Sequence, residues 1–155
     1  MIIVRNGVIP DMAEENNALI NDEIELEAQT KNLPSVIEFV EAFLERVSCP
    51  MKCLMQISVA VDEIFTNISS YAYRSGIGKA KIRLHLLPDP RAVQLTFIDS
   101  GMPYDPLAKE DPDITLPASK RQIGGLGIFM AKKLMDDIEY EYLGGKNILR
   151  MKKYL

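Results

Sequence analysis

Two runs of alternating side chains joined by a tight proline turn constrain this chain more than any other feature. Ile82, Leu84 and Leu86 alternate with Lys81, Arg83 and His85. Pro88-Asp89-Pro90-Arg91 then reverses the chain into Val93, Leu95 and Phe97, which alternate with Gln94, Thr96 and Ile98. Period-two alternation gathers one set of side chains on one face, so the segment predicts an antiparallel hairpin with a single covered face. A second hairpin is predicted from Ile138, Tyr140 and Tyr142, a turn at Gly144-Gly145-Lys146-Asn147, and a strand from Ile148 to Leu155. Helices must supply the cover. Leu33, Val36, Ile37, Val40, Phe43, Leu44 and Val47 recur at helical spacing, with Asn32 as a cap and Pro34 in the first turn. Leu54, Ile57, Val61, Ile64, Phe65 and Ile68 form a second stripe from Lys52 to about Tyr73.

A half-buried strand is expected at Glu23 to Ala28, where Ile24, Leu26 and Ala28 alternate with glutamates, and a third helix from Gly124-Gly125-Leu126-Gly127 to about Asp137. The resulting order separates helices from strand pairs. It predicts an α+β fold, a two-layer sandwich with a mostly antiparallel sheet and helices on one face, and argues against a doubly wound parallel sheet. Residues 1 to 22 lack sustained periodicity and read as an N-terminal arm. Met102 to Gln122 carries four prolines and no period, a loop of a length that compact domains keep for a function.

At 155 residues the chain has room for one domain with a core that needs no staple. The balance of 18 Lys+Arg against 22 Asp+Glu, with no long basic cluster, argues against a general nucleic-acid binder. No apolar stretch approaches the roughly 18 residues of a membrane span, and no secretory leader is evident, so a cytoplasmic protein is expected. Cys49 and Cys53 hold at most half a zinc site and read as idle thiols in a reducing compartment.

Three places carry possible chemistry. Glu63 and Asn67 lie at i and i+4 of the second helix, a base and a neutral oxygen donor on one face, a spacing that an ordinary solvated helix face also shows. Asp99 ends a strand before Ser100-Gly101, where its carboxylate either accepts from an exocyclic amine or closes an Asx turn on its own backbone. The glycines of Gly124-Gly125-Leu126-Gly127 either expose backbone N–H groups to an anion at a helix start or serve as a hinge.

Taken together and in this order, the three resemble a known family. Val61 to Asn67 followed by Tyr71-Ala72-Tyr73 resembles the N-box of the Bergerat-fold (GHKL, histidine-kinase-like) ATP-binding superfamily. Asp99-Ser100-Gly101-Met102-Pro103-Tyr104-Asp105-Pro106 resembles its first glycine box, and Gly124 to Phe129 its second. With Leu134-Met135-Asp136, Tyr140 and Asn147 downstream, the chain is most similar to the anti-sigma factor serine/threonine kinases. The resemblance covers residues 23 to 155 as an ATP-binding domain. It implies Glu63 as general base, Asn67 as the Mg2+ ligand and Asp99 as acceptor for the adenine amine, with Gly101 letting the base lie close. Gly125, Leu126 and Gly127 are implied as phosphate contacts, and Lys120 and Arg121 as lid residues reaching the terminal phosphate.

The implied activity is transfer of the ATP γ-phosphate to a serine or threonine of an anti-anti-sigma-type partner. The resemblance also implies a homodimer and leaves room for a sigma factor. The alternative is a non-catalytic, nucleotide-gated module that sequesters a regulator; a general base at Glu63 favours the enzyme. Tyr71 stands where the family often has His, and Pro103 where a second glycine is usual. His85 falls on the polar side of its strand, with no separate helical hairpin for a phospho-accepting histidine.

Overall fold

The computed structural model describes residues 2–6, 20–120 and 126–155. Six strands form one sheet in the order β1-β2-β3-β4-β6-β5, every neighbouring pair antiparallel. The strands are β1 (Ile2–Asn6), β2 (Asn21–Glu27), β3 (Lys79–Pro88), β4 (Arg91–Asp99), β5 (Asp137–Leu143) and β6 (Lys146–Tyr154). The helices are α1 (Leu33–Arg46), α2 (Met51–Tyr71) and α3 (Leu126–Leu134). The α+β sandwich and both hairpins expected from the sequence are present. The β5–β6 turn uses Gly144 and Gly145 at φ 61° and 75°, the left-handed pair that matches the strands' own twist.

Register explains the core. Ile24 lies opposite Ile82, Ile82 opposite Phe97, and Phe97 opposite Leu149, so apolar side chains of four strands line one face. Val36, Val40, Phe43 and Leu44 of α1 and Ile57, Val61, Ile64, Phe65 and Ile68 of α2 bury against them. The other face stays polar: Glu23 pairs with Lys81 and Arg83, and Arg150 with Glu139 and Glu141. His85 shares that face, as the alternation predicts, and its partial burial beside Arg83 pushes its pKa down.

Two boundaries differ from expectation. Within the stretch read as an arm, Ile2–Asn6 pairs along β2 as an edge strand, and β2 rather than β1 is the segment whose alternation was legible. Ile2, Ile3 and Val4 favour a strand, but five residues ending at Asn6-Gly7 show no alternation; main-chain pairing at an open edge recruits them. α3 stops at Leu134 instead of Asp137, because Asp136 turns to β6: its N–H donates to Lys152 O (3.0 Å) and its Oδ2 accepts the Tyr154 N–H (2.7 Å).

Candidate active site

The end of β4 is locked onto the end of α2. Ala72, just past α2, accepts the Met102 N–H at 2.9 Å, and Tyr73 Oη donates to Lys79 O (2.6 Å) while accepting the Ser100 N–H (3.0 Å). A Cβ on Gly101 would lie 2.3 Å from the Ala72 carbonyl oxygen, so only glycine lets the strand exit sit on the helix terminus. Beside this junction opens a cleft of about 460 Å³, lined by Asn67, Ser70 and Tyr71 of α2, by loop residues from Met102 to Pro112, and by Ile128, Phe129 and Lys132 of α3. An inner pocket of about 40 Å³ shares Asn67, Tyr71, Met102, Tyr104 and Pro106 with it and ends on Asp99, Tyr140 and Asn147.

Asp99 is buried in this pocket, and its two oxygens differ. Oδ1 accepts the Gly101 N–H and Asn147 Nδ2, each at 2.9 Å. The first bond is the Asx turn allowed by the sequence, so that reading holds for one oxygen. Among the described residues nothing donates to Oδ2, which leaves an acceptor at the wall of an apolar pocket. Asn147, opposite Asp99 in the β4–β6 register, uses its whole amide: Nδ2 also donates to Met102 O (2.9 Å), and Oδ1 accepts Tyr140 Oη (2.6 Å) and the Tyr104 N–H (3.1 Å). It clamps the carboxylate and the start of the loop with one side chain.

Glu63 lies one turn before Asn67 on α2, beneath the start of α3. A Cβ on Gly127 would fall 2.0 Å from Glu63 Oε2, so a larger residue there would require the carboxylate to move. Partial burial pushes the Glu63 carboxyl above its ordinary value, and the neighbouring Asp62 carboxylate adds to the rise. That direction suits a base that must take a proton near neutral pH.

Residues 26–153 match the family described as the histidine kinase-like ATPase domain. The chain belongs to that family. Over 143 residues it is 27% identical to an anti-sigma F factor of Caldanaerobacter subterraneus subsp. tengcongensis, covering 92% of this chain and 96% of that protein. It is 31% identical to a serine-protein kinase RsbW of Bacillus cereus over 103 residues, 64% of this chain and 62% of the kinase, so the match spans under two thirds of that relative. A serine-protein kinase RsbW of Listeria innocua is 25% identical over 81% of this chain and 86% of its own length. The crystal structure of the RsbU and RsbW domains of a Mycobacterium tuberculosis protein shares the fold, with a TM-score of 0.60 at 15% identity, covering 86% of this chain and 32% of that one.

In this histidine kinase-like ATPase domain, Asn67 and Asp99 line the inner pocket, Gly101 sits against Ala72 at the junction, and Gly127 lies against Glu63; Gly101, Gly127 and Glu63 line neither pocket. Leu126, the first residue of α3, is exposed and lines neither pocket. Lys120 closes an exposed 3-10 turn (Ala118–Lys120) and likewise lines neither. Arg121 and Gly125 lie outside the described residues. Sequence reasoning did not select Asn147 as a site residue, since in the sequence it reads as a turn residue. Nor did it select Lys109, Lys132 or Arg74, cations on the cleft wall.

The donor set fits a magnesium nucleotide. The inner pocket offers a clamped carboxylate with a spare acceptor. Among the described residues no group of three His, Cys, Asp or Glu side chains is placed to hold a metal, as a zinc or calcium site would need. Mg2+ accepts one or two protein oxygens and completes its shell with water and phosphate, so a single amide oxygen such as that of Asn67 would suffice as protein ligand. The thiols sit elsewhere, near the start of α2: Cys49 Sγ is 3.6 Å from Pro50 O and Cys53 Sγ 3.7 Å from Tyr154 O.

Proposed function

We propose that this chain is an ATP-dependent serine/threonine protein kinase of the anti-sigma factor type. The observation that carries the reading is the Glu63 carboxylate packed against Gly127, one helical turn from Asn67, which lines the same inner pocket as Asp99. The relatives named serine-protein kinase support the same direction. Asp99 Oδ2 accepts the adenine amine, and Gly101 keeps the strand exit low enough for the ring to enter. The resemblance assigns Gly125, Leu126 and Gly127 to the phosphates and Lys120 and Arg121 as further cations. Asn67 would hold Mg2+, which would supply charge neutralisation on the phosphates.

A seryl or threonyl Oγ of the partner bonds to the γ-phosphorus as the bond to the β–γ bridging oxygen breaks. The hydroxyl proton passes to Glu63, and ADP leaves. Most of the acceleration comes from alignment of the two reactants, with proton removal adding to it. The acceptor is an anti-anti-sigma-type protein, a sigma factor is a second partner, and the working unit is a homodimer built on residues 23 to 155. No described helix is long and apolar enough to cross a membrane, in keeping with a cytoplasmic role.

The alternative reading is a module that sequesters a regulator under nucleotide control without transfer. Incubating the protein with γ-labelled ATP and a lysate of its source cell separates the readings. The kinase predicts label on serine or threonine of one protein. Label released only as inorganic phosphate would indicate a hydrolase, and neither product, with Mg-ATP binding intact, would indicate the sequestering module.

A further inference from the structure

The cleft contains one ion pair for which the proposed reaction has no use. Lys132 of α3 donates to Asp111 of the loop, and both side chains form part of the cleft wall that includes Asn67. The Lys132 side chain is 29% exposed and that of Asp111 45%. Helical side chains lean toward the N-terminus of their helix, so Lys132 covers the turn of Ile128 and Phe129, which line the same cleft. An ammonium there stands on the wall of a cleft that adjoins the inner pocket through Asn67, Tyr71, Met102, Tyr104 and Pro106. A carboxylate and a phosphate oxygen are interchangeable partners for it.

We infer that Asp111 occupies Lys132 in place of a phosphate, and that Lys132 passes from the Asp111 carboxylate to the phosphate oxygens when a nucleoside triphosphate binds. The inference rests on the nucleotide reading above and deepens it. Asp111 is then a built-in competitor: its charge opposes the incoming anion, and the pair must break before Lys132 engages. Polyphosphate affinity is set by the difference between the two partners, whereas a nucleoside without phosphate leaves the pair undisturbed.

Calorimetric titration of Mg-ATP and of adenosine into the native chain, Lys132→Met, Asp111→Asn and the double variant tests this. Lys132→Met should weaken Mg-ATP about tenfold, the scale of a hydrogen bond to a charged group, and leave adenosine unchanged. Asp111→Asn should tighten Mg-ATP about threefold, the scale of a partly exposed ion pair. In the double variant the Asp111 substitution should have no further effect, because the competitor has nothing left to compete for. If Asp111→Asn weakens Mg-ATP as Lys132→Met does, or if ATP and adenosine shift together, the pair merely ties the loop to α3 and the inference is wrong. A native chain that binds neither compound would instead overturn the nucleotide reading itself. Thermal unfolding of each variant without nucleotide identifies any loss that is only misfolding.

Discussion

Glu63→Gln should bind Mg-ATP as the native chain does and lose phosphoryl transfer by about 10²- to 10⁴-fold, the range supplied by a positioned general base. The substitution keeps the shape of the side chain that Gly127 packs against and removes only its capacity to accept a proton. Transfer and binding should therefore separate, which loss of fold would not produce. Stability should not fall. A carboxyl whose pKa is raised by folding contributes most below its unfolded value and loses that contribution as pH rises through the folded value, so at neutral pH the charged Glu63 is a burden the amide lacks. The acid limb of the native rate profile should lie above the ordinary glutamate value and vanish in Glu63→Gln. Stopped-time transfer assays across pH, with nucleotide titrations alongside, would check both statements.

Asn147→Ala should lower stability by about 3 kcal/mol, because buried polar groups that lose their partner cost on the order of 1–3 kcal/mol each. The substitution strips one donor from Asp99 Oδ1 and leaves Met102 O, the Tyr104 N–H and Tyr140 Oη without their contact. Mg-ATP affinity should drop with it, by more than the stability loss explains, since the carboxylate would then keep only the Gly101 N–H to hold its orientation. Chemical denaturation and calorimetry on the same preparation measure the two effects. An alanine variant that kept full affinity would mean that the clamp serves the sheet and not the pocket.

Much of this was legible because local periodicity and burial agree. Ile57, Val61, Ile64, Phe65 and Ile68 were read from spacing alone and are all buried on α2. The two hairpins were equally plain, since each turn is written in proline or glycine beside alternating strands. Glu63 and Asn67 were readable as a pair because one helix carries both. Asn147 was not, because its meaning lies in the β4–β6 register that sets it across from Asp99, 48 residues away in the chain. Gly101 was legible as a permissive residue, but the close neighbour that demands it, the Ala72 carbonyl, comes from the end of a different element. Edge pairing of Ile2–Asn6 depends on main-chain groups that every residue possesses, so no side-chain pattern announces it. Lys132 escaped for a similar reason: it gains meaning only when the loop brings Asp111 to it.

The central claim is that the pocket between α2, β4 and β6 holds adenine on Asp99, and Asp99→Asn tests it most directly. An asparagine can turn its oxygen toward the Gly101 N–H and Asn147 Nδ2, preserving the existing bonds, and then presents an NH2 where Oδ2 stood. The fold is kept while an acceptor becomes a donor facing the adenine amine. Calorimetry should find Mg-ATP binding to the native chain and a loss of about tenfold or more in Asp99→Asn, with the unfolding midpoint little changed. Equal Mg-ATP affinity in a folded Asp99→Asn would contradict the account at its base, because the carboxylate would then not be what recognises the nucleotide.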